Sequence, residues 1–136
     1  MRHTLTLLLG LFILASCGTA KNAKVLARGP IKITKVTKDD TYGSEKNPIM
    51  VGGVVDSNGP SNERAYLDLL AGPNGEEISY NRVSSCCAFK SDRGFMGKGL
   101  LDVYEVKYEG MKKPIMLYIN MYDYQTLYAP VGFTIR

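Results

Sequence analysis

The sequence predicts an α+β fold in which a small antiparallel β-sheet is covered by one helix. Apolar and polar residues alternate over residues 100–109, as in a strand with one buried face. Residues 115–122 are apolar on both faces, which is typical of a central strand. An apolar stripe with a spacing of three and four residues follows Ser61 and indicates a helix. The length of 136 residues suits a single domain.

Two short segments at the start of this domain have strand character. Residues 31–34 alternate between apolar and polar side chains, which predicts a half-buried strand. Residues 49–55 are rich in β-branched side chains and contain Gly52 and Gly53 at their centre. This pattern predicts a strand with a bulge.

The helix is bounded by turn residues on both sides. Residues 56–60 are dense in turn-forming side chains, and Ser61 is the expected N-cap, with Glu63 in the first turn. Gly72 and Pro73 are expected to end the helix.

The second half of the chain predicts a hairpin. Residues 78–83 form an expected strand, and residues 86–99 form an expected long loop because they are rich in Gly, Ser and charge. Residues 110–114 reverse the chain, so that the strands over 100–109 and 115–122 pair antiparallel. Residues 132–135 offer a short terminal strand.

Residues 1–17 have the pattern of a targeting segment. Arg2 precedes an apolar run over residues 5–15, which matches a signal-peptide core and is too short to cross a membrane as a helix. The run ends in the letters LASC at residues 14–17, which resemble the lipobox of bacterial lipoproteins. The alternatives are an ordinary secretory signal and a buried apolar helix. We predict a lipoprotein signal peptide at 1–16, lipidation of Cys17, a tether at 17–30 and a single α+β domain at 31–136.

Lipidation of Cys17 would anchor the chain in the cell envelope, with the outer membrane as the expected location. Residues 17–38 contain six basic side chains and no acidic ones, whereas residues 39–136 contain ten basic and thirteen acidic ones. The net positive charge of the chain therefore comes from residues 17–38, which comprise the predicted tether and the first predicted strand. It indicates either attraction to anionic lipid headgroups or a solvated linker. Nucleic acid is not an expected partner of the slightly acidic remainder.

The composition argues against common catalytic sites. His3 is the only histidine and lies in the predicted signal peptide, so the mature chain lacks the usual general base and most zinc ligands. The acidic pairs at residues 39–40 and 76–77 fall in predicted loops, where solvated charge is the ordinary outcome. We therefore expect no catalytic residue, no metal and no cofactor.

Cys86 and Cys87 are neighbours in the chain. They are compatible with a buried structural pair, a disulfide between adjacent residues, a bridge to another molecule, or a redox or metal role. The sequence leaves these alternatives open, and we take the two residues as a candidate disulfide or redox site.

Tyrosine is concentrated near the end of the chain. On an extended strand, Tyr118, Asn120, Tyr122 and Tyr124 would share one face, and such a face suits a glycan or an envelope protein. Core packing with hydroxyls at the rim is the alternative. Phe95, between glycines in the predicted loop, is a further candidate for contact with a ligand or partner.

Several short motifs together resemble a family of small secreted or lipid-anchored bacterial proteins. The resemblance extends over residues 42–133 and is carried by the letters NPI at 47–49, VGG at 51–53, SCC at 85–87 and LYINMYDY at 117–124. Together with this resemblance, the lipobox-like residues, the tether and the lack of a catalytic constellation predict the function. We expect a membrane-anchored envelope lipoprotein with a small non-enzymatic binding or assembly domain.

An enzyme of sugar-acid metabolism is the alternative, because some members of that family carry the name 2-dehydro-3-deoxyphosphooctonate aldolase. That enzyme acts on phosphoenolpyruvate and a sugar phosphate and has a (β/α)₈ barrel. Such a barrel needs about 200–250 residues, and this chain has 136 and no phosphate-loop motif. The sequence therefore favours the binding domain.

Overall fold

The computed structural model describes residues 30–136 of the chain. In chain order the elements are β1 (Ile49–Met50), a 3-10 helix (Val54–Asp56), α1 (Gly59–Leu67), β2 (Leu70–Ala71), β3 (Ile78–Phe95), β4 (Lys98–Tyr108), β5 (Ile115–Asn120) and β6 (Thr134–Ile135). A four-stranded sheet has the order β1-β5-β4-β3, and β2 pairs with β6 in a two-stranded sheet. The predicted α+β class, with a small sheet and one helix, is confirmed.

The β4–β5 hairpin forms the centre of the sheet, as the sequence predicts. Tyr104 lies opposite Leu117 and Val106 lies opposite Ile115, so these side chains share the face that packs into the core. On the other side of β5, β1 pairs in parallel with it, with Ile49 opposite Ile119. β5 is therefore an interior strand, which explains why it is apolar on both faces.

Helix α1 begins three residues earlier than predicted. Its N-cap is Asn58 rather than Ser61, and Pro60 lies in the first turn, where its fixed φ suits a helix and its missing N–H has no cost. The helix ends at Leu67, and β2 begins at Leu70, before the Gly72–Pro73 pair that was expected to end the helix.

The prediction of a long loop over residues 86–99 is wrong. β3 continues through this region to Phe95 and pairs with β4 across three breaks in register, so bulges accommodate the Gly, Ser and charged residues. The hairpin then turns at Met96 and Gly97, which have φ angles of 53° and 74°.

The two early strand predictions are correct only in part. Residues 31–34 form no strand; nearby, Val36 makes a single bridge with Ala129. β1 ends at Met50, and positive φ angles at Gly52 and Gly53 lead the chain into the 3-10 helix instead of a bulged strand.

The core lies between α1, the two central strands and the segment that precedes β6. Tyr66 and Leu67 of α1 are fully buried in it, and the hydroxyl of Tyr66 donates a hydrogen bond of 2.7 Å to the carbonyl of Tyr128. The helix is thus held to the C-terminal segment by both apolar packing and a partly buried hydrogen bond.

Candidate functional site

A bulge in β3 directs Arg82 and Ser85 to the same buried carboxylate. Arg82 lies opposite Tyr104, but the register then shifts, so that Ser85 lies opposite Asp102. Side chains alternate along a strand, so residues three apart would face opposite sides without the extra residue at Val83. The bulge therefore places both side chains on the side of the sheet that carries Asp102.

Asp102 is held by three hydrogen bonds from these two side chains. Arg82 donates from Nε to Oδ2 at 2.7 Å and from Nη2 to Oδ1 at 2.9 Å, and the Ser85 hydroxyl donates to Oδ1. The residue is only 3% exposed, whereas half of the Arg82 side chain is accessible to solvent. The buried carboxylate is thus neutralised by a bidentate guanidinium that reaches it from the surface.

Helix α1 brings a second carboxyl group to this cluster. Glu63 is fully buried and accepts a hydrogen bond of 2.9 Å from the Tyr104 hydroxyl at Oε2, while Oε1 has no partner among the described residues. Burial, and then the negative charge of Asp102, raise the pKa of Glu63 to about 7. A protonated Glu63 can donate to the neighbouring Asp102 carboxylate, which gives the polar atoms on both groups a partner.

This buried acid cluster, defined as Glu63, Arg82, Ser85, Asp102 and Tyr104, connects α1 to β4 and β3. Its two carboxyl groups have almost no accessible surface, so a substrate has no route to either of them in this structure. The chemistry that the geometry supports is therefore structural: the Arg82 guanidinium compensates Asp102, and burial favours the protonated form of Glu63 by raising its pKa.

Cys86 and Cys87 are joined by a disulfide between neighbouring residues. They lie at the second break in the β3 register, and Cys87 has a left-handed φ of 59°. The bridge closes only a minimal loop, so it restricts the unfolded chain very little. It fixes the local path of β3 beside a cavity of about 290 Å³ that is also lined by Phe89 and Leu101. A redox or metal role for the pair stays a prediction.

The predicted shared face of Tyr118, Asn120, Tyr122 and Tyr124 does not form, because β5 ends at Asn120. The Asn120 side-chain oxygen accepts hydrogen bonds from the backbone N–H groups of Tyr122 and Asp123 at 2.8 and 3.1 Å. Such a local side-chain bond competes with strand pairing and turns the chain.

Each ring of this set consequently has its own environment. Tyr118 stays on β5 opposite Val103, and Tyr122 packs edge-to-face against Phe89 with ring centroids 5.8 Å apart. Tyr124 makes a bridge with Val51 and lines an open groove. Of the four residues, Tyr124 is the one that lines this groove.

The turn after β5 is tied to the β3 end of the hairpin. Asp123 accepts hydrogen bonds from Ser91 at 2.9 Å and from Asn120 at 3.1 Å, and Arg93 contacts it at 3.3 Å. The Arg93 guanidinium also lies 5.9 Å from the centre of the Tyr124 ring. These contacts hold the Tyr124 ring from one side.

A groove of about 400 Å³ runs between residues 30–34, the segment after β1 and the start of α1. Its polar lining includes Asn58, Asn62, Tyr124 and Gln125, together with Asp56. A cavity of this size with one aromatic ring and several converging polar groups has the usual form of a small-molecule site. We take this groove as the candidate functional site.

The groove side chains are fixed by the backbone around them. Asn62 donates to the carbonyls of Val51 and Gly52 at 3.3 and 3.1 Å, and Gln125 donates to the carbonyl of Pro48 at 3.1 Å. Any Cβ on Gly52 would lie 2.2 Å from the ring of Tyr124, so this ring rests directly on the glycine backbone. The aromatic and amide groups are therefore held in place before a ligand binds.

Sequence reasoning identified Tyr124 but missed the amide side chains of the groove and the buried acid cluster. Phe95, the other predicted contact residue, lies at the tip of the β3–β4 hairpin and is not part of the groove lining. The predicted signal peptide and Cys17 lie outside the described residues.

No helix within residues 30–136 is long and apolar enough to span a membrane. The same part of the chain contains no group of three or more His, Cys, Asp or Glu side chains arranged to hold a metal ion.

Comparison with known proteins finds no matching family model, curated protein or solved structure.

Proposed function

We propose that this chain is a lipid-anchored envelope protein whose α+β domain binds a glycan in the groove beside Tyr124. The lipobox-like residues 14–17 support the anchor and the envelope location. The groove supports the binding function, and the single observation that carries it is the position of the Tyr124 ring among the amide side chains of Asn58, Asn62 and Gln125.

The chemistry of this lining suits a sugar. An aromatic ring offers a flat apolar surface for the C–H face of a sugar ring, and amide groups donate to and accept from its hydroxyls. The amide nitrogens of Asn62 and Gln125 are bonded to backbone carbonyls, and this orients both side chains in the groove lining. Oriented amide groups of this kind are suited to hydrogen bonds with the hydroxyl or N-acetyl groups of a neutral sugar.

The enzymatic alternative would need an acid and a base that a substrate can reach. The carboxyl pair formed by Glu63 and Asp102 is buried at the base of α1, and the acidic pairs at 39–40 and 76–77 lie outside the groove lining. The binding function needs no such access, and it is therefore the function that the geometry supports best.

We expect Tyr124→Ala to weaken glycan binding by at least about tenfold, because the variant loses the stacking surface of the ring. Binding of the full-length protein in detergent to di- to tetrasaccharides of N-acetylglucosamine, measured by calorimetry, checks this result. Tyr118→Ala is the matched control, since Tyr118 lies on β5 outside the groove lining. Equal affinity of the two variants, or no binding of any tested oligosaccharide by the wild-type protein, would count against the proposal.

We expect Cys17→Ala to abolish incorporation of labelled palmitate and to reduce the membrane-bound fraction. The predicted lipid is attached to this cysteine, whereas Cys86 and Cys87 already form a disulfide with one another. A Cys86→Ser, Cys87→Ser double variant therefore serves as the control and should retain both the label and the membrane fraction. Labelling that persists in Cys17→Ala would show that the anchor prediction is wrong.

A further inference from the structure

The tip of the β3–β4 hairpin presents two large apolar side chains to solvent. Phe95 is 85% exposed and Met96 is 84% exposed, the highest values among the large hydrophobic residues of the described domain. Neither belongs to the hydrophobic core. An exposed apolar pair at the end of a projecting hairpin indicates a contact surface.

The geometry of the turn does not explain why Phe95 and Met96 are present at the tip. Met96 and Gly97 are its two central positions and both have positive φ, as in the tight turns that match the twist of a hairpin. Asn, Asp or Gly is favoured at the first of these positions, whereas a long side chain such as Met is strained there. A residue that breaks a local rule without stabilising the fold is expected at a functional position.

The strands behind the tip carry a positive pair. Lys90 and Lys98 are exposed and lie directly opposite each other in the β3–β4 register. Like charges in this arrangement repel, and neither lysine has an ion pair within residues 30–136. Asp92 is the one acid between them in the sequence, while Arg93 is occupied by Asp123. The pair is therefore suited to an anionic partner.

We propose that this hairpin tip inserts into the surface of a bilayer that contains anionic lipids. Phe95 and Met96 would enter the boundary between headgroups and acyl chains, and Lys90 and Lys98 would lie at the level of the lipid phosphates. Charge complementarity selects the lipid surface over a neutral partner. The inference rests on the proposed anchor only for proximity, because the chain from Cys17 to Pro30 can span at most about 45 Å.

The absence of tryptophan from the chain allows a direct test. Phe95→Trp places one indole at the tip, and the full-length protein is incorporated into vesicles of phosphatidylcholine with or without about 30% phosphatidylglycerol. We expect blue-shifted emission, and quenching by brominated acyl chains, in the anionic vesicles. Val55→Trp is the matched control, because Val55 is also exposed, at 66%, but lies in the 3-10 helix. Its emission should not change.

A second pair of variants tests the charges. Lys90→Gln with Lys98→Gln should reduce quenching of the indole introduced by Phe95→Trp by at least about threefold. Lys112→Gln with Lys113→Gln, at the other hairpin, should leave this quenching unchanged.

Unshifted emission in vesicles that carry the protein on flotation would overturn the tip inference and leave the anchor intact. Quenching at the tip, together with palmitate labelling that persists in Cys17→Ala, would retain the inference and overturn the proposed anchor. Failure to float with either vesicle would overturn both.

Discussion

Glu63→Gln is expected to stabilise the domain at pH 8 by about 2–3 kcal/mol and to have little effect at pH 4. Glu63 has a pKa of about 7 in the folded protein, compared with 4.5 as its ordinary value. Glutamine carries no charge at any of these pH values. Its amide nitrogen can donate to Asp102, and its oxygen can accept from the Tyr104 hydroxyl, so the variant keeps the contacts of the protonated acid.

The sign of this pH dependence follows because Glu63 binds its proton more tightly in the folded protein than in the unfolded chain. Below pH 4.5 Glu63 is protonated in both states, and its contribution to stability is fully present. Between pH 4.5 and 7 the unfolded chain loses this proton while the folded protein retains it, so the free energy of unfolding falls as the pH rises. Above pH 7 the folded protein also ionises, and the loss is complete.

Urea unfolding of the wild type and the variant at several pH values measures this effect. The difference between the two proteins should appear across pH 4.5–7 and then remain constant. Glu77→Gln is the control, because the Glu77 side chain is 80% exposed and contacts Arg136 only at 3.8 Å. Parallel stability curves for wild type and Glu63→Gln would mean that Glu63 is not the protonated member of the buried acid cluster.

The burial of each carboxyl group in this cluster can be predicted from the sequence, but the formation of the cluster cannot. Glu63 lies three and four residues before Tyr66 and Leu67, which is the spacing of the buried helical stripe. Asp102 continues the inward alternation of Tyr104 and Val106. Both positions therefore indicate burial. That they meet, and that Arg82 and Ser85 reach the same group, depends on strand register and on a bulge, which periodicity does not specify.

The groove also could not be predicted from local sequence patterns, because its residues are far apart in the chain. The periodic signals of α1 and of the β4–β5 hairpin are local, and these elements form as expected apart from their ends. The groove instead combines residues 30–34 with Asn62 and Tyr124, and its shape depends on the end of β5 at Asn120. Two hydrogen bonds to the Asn120 side-chain oxygen turn the chain there, and this separates the four residues that strand alternation would have placed on one face.

Arg82→Met is expected to destabilise the domain by about 3 kcal/mol at pH 8, because it leaves Asp102 charged and buried beside a second carboxyl group. The value is at the low end for a broken buried pair, since half of the Arg82 side chain is exposed and water can enter its place. Arg136→Met, which removes a solvent-exposed pair, should change stability by less than about 0.5 kcal/mol. Urea unfolding measures both effects.

A double-mutant cycle separates the ion pair from the packing of the arginine chain. Asp102→Asn removes the charge that Arg82 compensates, so the Arg82→Met, Asp102→Asn double variant should lose clearly less stability than the sum of the two single variants. Arg82→Met should also move the pH dependence assigned to Glu63 to higher pH, because the positive charge of Arg82 lowers the pKa of Glu63. Additive losses with an unshifted pH profile would place the contribution of Arg82 in its apolar stem instead.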